Sequence, residues 1–130
     1  MKKIVLFTAG ILLIFSSCQE SRKKSFERLA KEYTAKCPVI LGSGIRVDSM
    51  KYDSKTNTNS NYYTLYGAID SPDSIQKNRQ YMESSMIAAV RNSIDLKEYK
   101  DFNTTIEYVY FSDKSKKELF RIAIAPRLYK

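Results

Sequence analysis

The sequence predicts an α+β fold in the order α-β-β-α-β-β, with one four-stranded antiparallel sheet and two helices packed on one face. Three observations carry this. Two stretches, residues 26–36 and residues 72–94, repeat apolar side chains at helical spacing. Each is followed by two runs rich in β-branched and aromatic residues, divided by a polar turn. With a leading apolar segment set aside, about 110 of the 130 residues remain, enough for one domain with a single modest core.

That leading segment comes first. Met1-Lys2-Lys3 is a short basic start, and residues 4–15 form an unbroken apolar run without charge. A basic start, an apolar stretch of roughly 7–15 residues and small residues after it are the pattern of a secretory signal. The run is shorter than the roughly 20 residues a spanning helix needs. It ends Phe15-Ser16-Ser17-Cys18: a large apolar residue, two small ones, then cysteine. This ending resembles the lipobox of bacterial lipoproteins. The resemblance implies that residues 1–17 are a signal peptide, that cleavage falls between Ser17 and Cys18, and that Cys18 carries acyl chains such as palmitate. One chain binds a bilayer marginally and two or more hold firmly, so such a cysteine anchors a domain without a protein span.

Residues 18–25 then read as a lipidated polar tether, and residues 26–130 as a single domain. Arg22, Lys23 and Lys24 suit contact with anionic head groups and equally suit a plain solvated linker. Some lipoproteins carry an acidic stretch here that sends them to the outer surface. This basic one departs from that pattern, so the expected location is a cell membrane or outer membrane, lipid-anchored and facing the periplasm.

In the first helix, Phe26, Leu29, Ala30, Tyr33 and Cys37 share one stripe. Ser25 suits its start and Pro38 stops it. Cys37 then reads as a small buried apolar residue. Gly42-Ser43-Gly44 is a turn. Ile45 and Val47 alternate, as do Met50 and Tyr52, and the phase slips by one at Asp48-Ser49, the mark of a β-bulge. Residues 53–60 are a polar turn and residues 61–69 the returning strand, with Tyr63, Leu65 and Ile69 on one face and Tyr62, Thr64 and Tyr66 on the other. Ser71-Pro72-Asp73 supplies a capping serine, a first-position proline and an acid in the first turn. The helix it opens carries Ile75, Met82, Met86, Ala89, Val90 and Ile94 in its stripe. Residues 97–103 are a charged connector with room for one more turn. Residues 104–111 and 117–125 are the last two strands, with Phe120, Ile122 and Ile124 opposite Arg121. Pro126 ends the last of them. The letters around Cys37-Pro38, Val47-Asp48-Ser49, Tyr52-Asp53, Tyr63-Thr64-Leu65 and Leu119-Phe120 resemble those of small exported bacterial lipoprotein domains. That resemblance supports the fold alone.

Composition narrows the chemistry. The chain has no histidine, so the commonest general base and transition-metal ligand are missing. With Cys18 taken by lipid, Cys37 has no partner for an intrachain disulfide. The formal charge of +8 allows attraction to anionic membrane or wall polymers but reads mostly as solubility, and nucleic acid is not an expected partner of an anchored, exported domain. Asp53, Lys55, Asn57, Asn59 and Asn61 alternate as in a calcium loop, but Lys55, Thr58 and Thr64 stand where that loop needs an oxygen ligand, a glycine and an acid. No metal or cofactor is expected. Asp48, Asp70, Glu107 and Glu118 are acids near strand ends, and nothing in their spacing pairs them for acid–base work. Ten tyrosines stand out. Tyr62, Tyr66, Tyr108 and Tyr110 occupy alternate positions in two strands and form a candidate aromatic platform for an envelope protein or a glycan. The same rings also suit plain cross-strand packing. The expected function is a non-enzymatic binding or accessory module at the membrane surface. The alternative is a small cell-wall-acting hydrolase or an inhibitor of one.

Overall fold

The computed structural model describes residues 2–130, with side-chain surroundings from Cys18 onward. Met1 and the side chains of residues 2–17, where the expected signal falls, lie outside the described set. The first element is α1 (Lys2–Ala35), a single 34-residue helix. Residues 18–25, read as a tether, are part of it. Between Ile11 and Cys37 there is no glycine or proline, and Gln19, Glu20, Arg22, Lys23 and Lys24 are good helix formers. Nothing interrupts the helix until Pro38, which forbids helical geometry at the residue before it. Cys37 therefore falls beyond the last turn. It is half-buried rather than buried, with its thiol 3.5 Å from the Tyr33 carbonyl. Desolvation, aided by nearby Asp48, pushes the thiol pKa up, so it stays protonated at neutral pH.

The sheet corrects the expected topology. It has five strands, not four, in the order β1 (Val39–Gly42), β2 (Ile45–Asp53), β3 (Thr58–Leu65), β4 (Thr105–Ser112) and β5 (Glu118–Ile124), and it is mixed. β1 is too short to show an alternating pattern, and it exists through pairing: Val39 meets Val47 and Ile40 meets Arg46 across the Gly42-Ser43-Gly44 loop. The slip between Val47 and Ser49 is the bulge that the phase change predicts. β3 and β4 run parallel, in register from Thr58–Thr105 to Leu65–Ser112. The cause is the length of α2 (Pro72–Asn92), 21 residues. At 1.5 Å per residue it returns the chain about 31 Å, a full strand length, so β4 starts beside the start of β3.

Paired residues share a face. The register puts Val47, Met50, Tyr52, Tyr63, Leu65, Ile106, Tyr108, Tyr110, Phe120, Ile122 and Ile124 together, and both long helices pack on this face. Under α2, Ile75 and Val90 close on Leu65, Ile106, Phe120, Ile122 and Ile124. Under α1, Phe26 and Ala30 close on Tyr52. Phe26 stacks on Tyr99 at 4.3 Å and meets Tyr52 and Phe102 edge-on. Tyr99 belongs to α3 (Lys97–Asp101), the extra turn in the charged connector. The tail after Pro126 is ordered as α4 (Pro126–Tyr129), and buried Tyr129 donates its hydroxyl to the Thr104 carbonyl at 2.8 Å.

Several residues expected on the apolar faces land outside the core, among them Leu29 and Tyr33, each 38% exposed, and Ala89. The returning strand stops at Leu65, and Ile69 follows in the 3-10 turn Gly67–Ile69, 39% exposed. α2 starts as its Ser71 cap predicts, with Ser71 Oγ accepting from the Ser74 N–H, but it ends at Asn92, leaving Ile94 86% exposed. Gly44, at φ +87°, lies so close to the Tyr66 carbonyl and Ile69 that an added Cβ would sit 2.5 Å from that oxygen.

Candidate functional site

α1 covers β2 and α2 covers β5, so the middle strands are floored by side chains that neither helix fully hides. Those side chains are tyrosines. Tyr63 stacks on Tyr110 at 4.9 Å and lies 6.2 Å from Tyr108, and Tyr110 reaches Phe120 at 6.1 Å. Strand register explains the row, because Tyr63 is paired with Tyr110 across the parallel ladder and Tyr108 is two residues back on the same face. All three rings are half-buried. Burial pushes the Tyr63 hydroxyl well above its ordinary range, helped by neighbouring Tyr110, Tyr108 and Tyr33, and pushes Tyr110 up to about 12. Tyr108 rises for the same reason. Tyr52 and Tyr129 spend their hydroxyls internally on Asn57 and Thr104. Tyr63, Tyr108 and Tyr110 make no such bond among the described residues.

At Tyr110 the row opens into a cavity of about 480 Å³ under α2. Ile75, Met82 and Met86 form its helix wall, Ile45 and Leu65 its sheet wall, and Ile69 closes one end, with Tyr81 on the rim. The lining is mostly apolar with a few polar groups, Ser74, Asn78 and Ser85, at the edge. Ile69 and Tyr81, 39% and 75% exposed, extend the apolar surface outward. A size of about 300–1,000 Å³ and this kind of lining are typical of binding pockets. A second hollow of about 600 Å³ lies beside α1 and β2, but its walls include Glu27, Lys31 and Lys51 on an open edge.

The four tyrosines read as one platform are divided by the structure. Tyr108 and Tyr110 face the helices with Tyr63. Tyr62 pairs with Val109 on the opposite face, and Tyr66 lies beyond the end of β3. Tyr63 was missing from the expected set because the parallel pairing that joins it to Tyr110 is a tertiary fact. The sequence signal that could have found it is the 21-residue helix between the strands, which calls for a crossover.

The acids are kept apart. Asp48 accepts from Arg46 at 2.7 Å and from Thr64 at 2.5 Å. Glu107 meets Arg121 at 3.2 Å and Ser60 at 2.8 Å, and Glu118 takes the other side of Arg121. Buried Asp70 is held below the usual carboxylate range by Ser112 and by the Lys114 backbone N–H, and so ties down the β4–β5 turn. In the alternating row, Asp53 accepts from the Lys55 backbone N–H, and Asn57 and Asn61 are engaged internally, while Asn59 is buried with its Oδ1 unpartnered among the described residues. Asn57 accepts from Tyr52 and Thr104 and donates to the Phe102 carbonyl, while Asn61 donates to the Glu107 carbonyl. Among the described residues no three His, Cys, Asp or Glu gather as metal ligands, and no helix is long and apolar enough to cross a membrane. Cys18 is exposed at one end of the molecule.

The family described as "Domain of unknown function (DUF8479)" matches residues 21–120. No curated protein sequence matches the chain. Solved structures share its fold. A candidate secreted protein from Pseudomonas aeruginosa superposes with a TM-score of 0.72 at 12% identity, over 86% of this chain and 96% of that one. The pilotin EpsS of the Vibrio vulnificus type 2 secretion system gives 0.65 at 9% identity, over 88% and 97%. AspS, a type II secretion system pilotin from Vibrio cholerae, gives 0.61 at 8%, over 88% and 97%. At these identities the likeness is one of fold.

Proposed function

The chain belongs to the family described as Domain of unknown function (DUF8479), and we propose that it is a lipid-anchored accessory protein of the cell envelope that holds a partner protein in the tyrosine-floored groove. The observation that carries the reading is the groove itself: an apolar cavity lined by two methionines, continuous with three half-buried tyrosines. Methionine walls adapt to the shape of an apolar side chain, and a tyrosine floor offers large rings with polar tips. That combination suits the apolar face of a partner segment lying along the groove. The carboxylates, each engaged in its own ion pair or hydrogen bond, support a binding role over a hydrolytic one. The pilotin descriptions of EpsS and AspS support a partner drawn from an envelope secretion or assembly machine. Lipid on Cys18, after cleavage between Ser17 and Cys18, keeps the groove at the membrane surface.

The test is a photo-crosslinking amino acid at Met82 in the intact cell. The expected result is one reproducible envelope-protein adduct, lost when Met86→Asp or Tyr110→Ala is added. A monomer with no reproducible neighbour, or an adduct indifferent to both substitutions, overturns the reading.

A further inference from the structure

The end of the domain that carries Cys18 has a surface of its own. α1 reaches it docked, not dangling. The Arg22 guanidinium lies over the Phe102 ring at 5.8 Å, and Cys18 shares shallow hollows with Glu98 and with Asp101 and Phe102. This is the end where β2 turns into β3 and β4 begins, since Asn57 bonds the Phe102 carbonyl and accepts the Thr105 N–H at its own. α2 also arrives here, and just before α3 it leaves Ile94 pointing into solvent. At 86% exposure Ile94 is the most exposed large apolar side chain of the described residues. Exposed Lys55 in the β2–β3 turn flanks the same end, while Lys97 at the start of α3 pairs its ammonium with Asp101 at 2.5 Å.

We infer that this end is a bilayer-contact surface, with Ile94 entering the lipid interface beside the acyl chains of Cys18, and Lys55 at head-group level. The inference rests on the lipid-anchor reading of Cys18. A helix packed directly on α3 leaves the anchor no slack, so the surface around it is pressed to the membrane. An isolated isoleucine is costly to present to water and favourable in the acyl boundary. A lysine stem such as that of Lys55 lies along apolar surface while its ammonium group reaches phosphate.

The experiment uses the full lipoprotein purified from cell membranes, in a Cys37→Ser background, reconstituted in vesicles of phosphatidylethanolamine and phosphatidylglycerol containing brominated acyl chains. A fluorophore is placed by Ile94→Cys or, at the opposite end of the sheet, by Lys114→Cys. Because position 94 is solvent-exposed, its substitution leaves the packing intact. The mass of the N-terminal peptide is measured on the same samples. Expected is an acylated Cys18 with quenching several-fold stronger at position 94 than at 114. An acylated Cys18 with equal quenching at both sites, with none at either, or with the stronger signal at 114 overturns the contact surface and leaves the anchor standing. An unmodified Cys18 removes the anchor, and the contact surface with it.

Discussion

Tyr63 and Tyr110 show how one residue type becomes a floor rather than a surface. Each ring is held by its neighbour across the parallel ladder, and burial raises both hydroxyl pKa values above the ordinary value of 10. The sign of the consequence follows. Between pH 10 and about 12 the unfolded chain gives up these protons while the folded chain keeps them. Stability is therefore full below pH 10 and falls as pH rises through that window. Tyrosinate absorbance followed against pH is expected to show a late step that coincides with loss of structure and shrinks in Tyr63→Phe and Tyr110→Phe. Titration of every tyrosine near 10, with the fold intact, would contradict it. Gly44 gives a second residue-scale prediction. Its φ of +87° and its contact with the Tyr66 carbonyl leave no room for a side chain. Gly44→Ala should lower stability by about 1–3 kcal/mol, read as a drop in the urea midpoint at unchanged slope.

At the scale of elements, α1 does the work of two. Its Cys18–Ser25 portion carries the proposed anchor residue, and Phe26 and Ala30 complete the core over Tyr52. Phe26 is fully buried among three aromatic rings, so Phe26→Ala should cost about 3–5 kcal/mol and speed amide exchange along α1 ahead of β3 and β4. Much of this layer was legible in the letters. The bulge at Asp48 follows from a one-residue slip in alternation, and the start of α2 from Ser71-Pro72-Asp73. What was not legible has physical causes. Four residues are too few for Val39–Gly42 to declare a strand before Val47 pairs with it. The parallel joining of β3 to β4 depends on the reach of α2, not on either strand's pattern. Polar letters such as Gln19 to Lys24 serve a solvated linker and an exposed helix face equally well, and only the absence of a breaker decides. Ile94 kept helical spacing with Val90 but lies past the last turn of α2, so its exposure appears only in three dimensions. The tyrosine excess pointed to the candidate groove, and register chose which tyrosines line it.

At the scale of the molecule, the proposed anchor residue Cys18, the helix and the groove are joined through one rigid element, α1 on β2. Cys18→Ser is expected to abolish incorporation of labelled palmitate and to leave an unprocessed precursor or a soluble domain. Retention of label, or of the same N-terminal peptide mass, would count against the anchor. Because α1 is docked along its course and not hinged on a linker, the proposed anchor at Cys18 would also fix the height of the groove. From Cys18 to Ala35 the helix climbs 18 residues, about 27 Å at 1.5 Å per residue. The cavity edged by Ile45, Leu65 and Ile69 lies toward the upper end of that climb. A segment hugging the lipid surface would pass beneath it. Under the proposed anchoring, a partner would have to stand well clear of the head groups to be gripped, and the helix would set how tall that client must be.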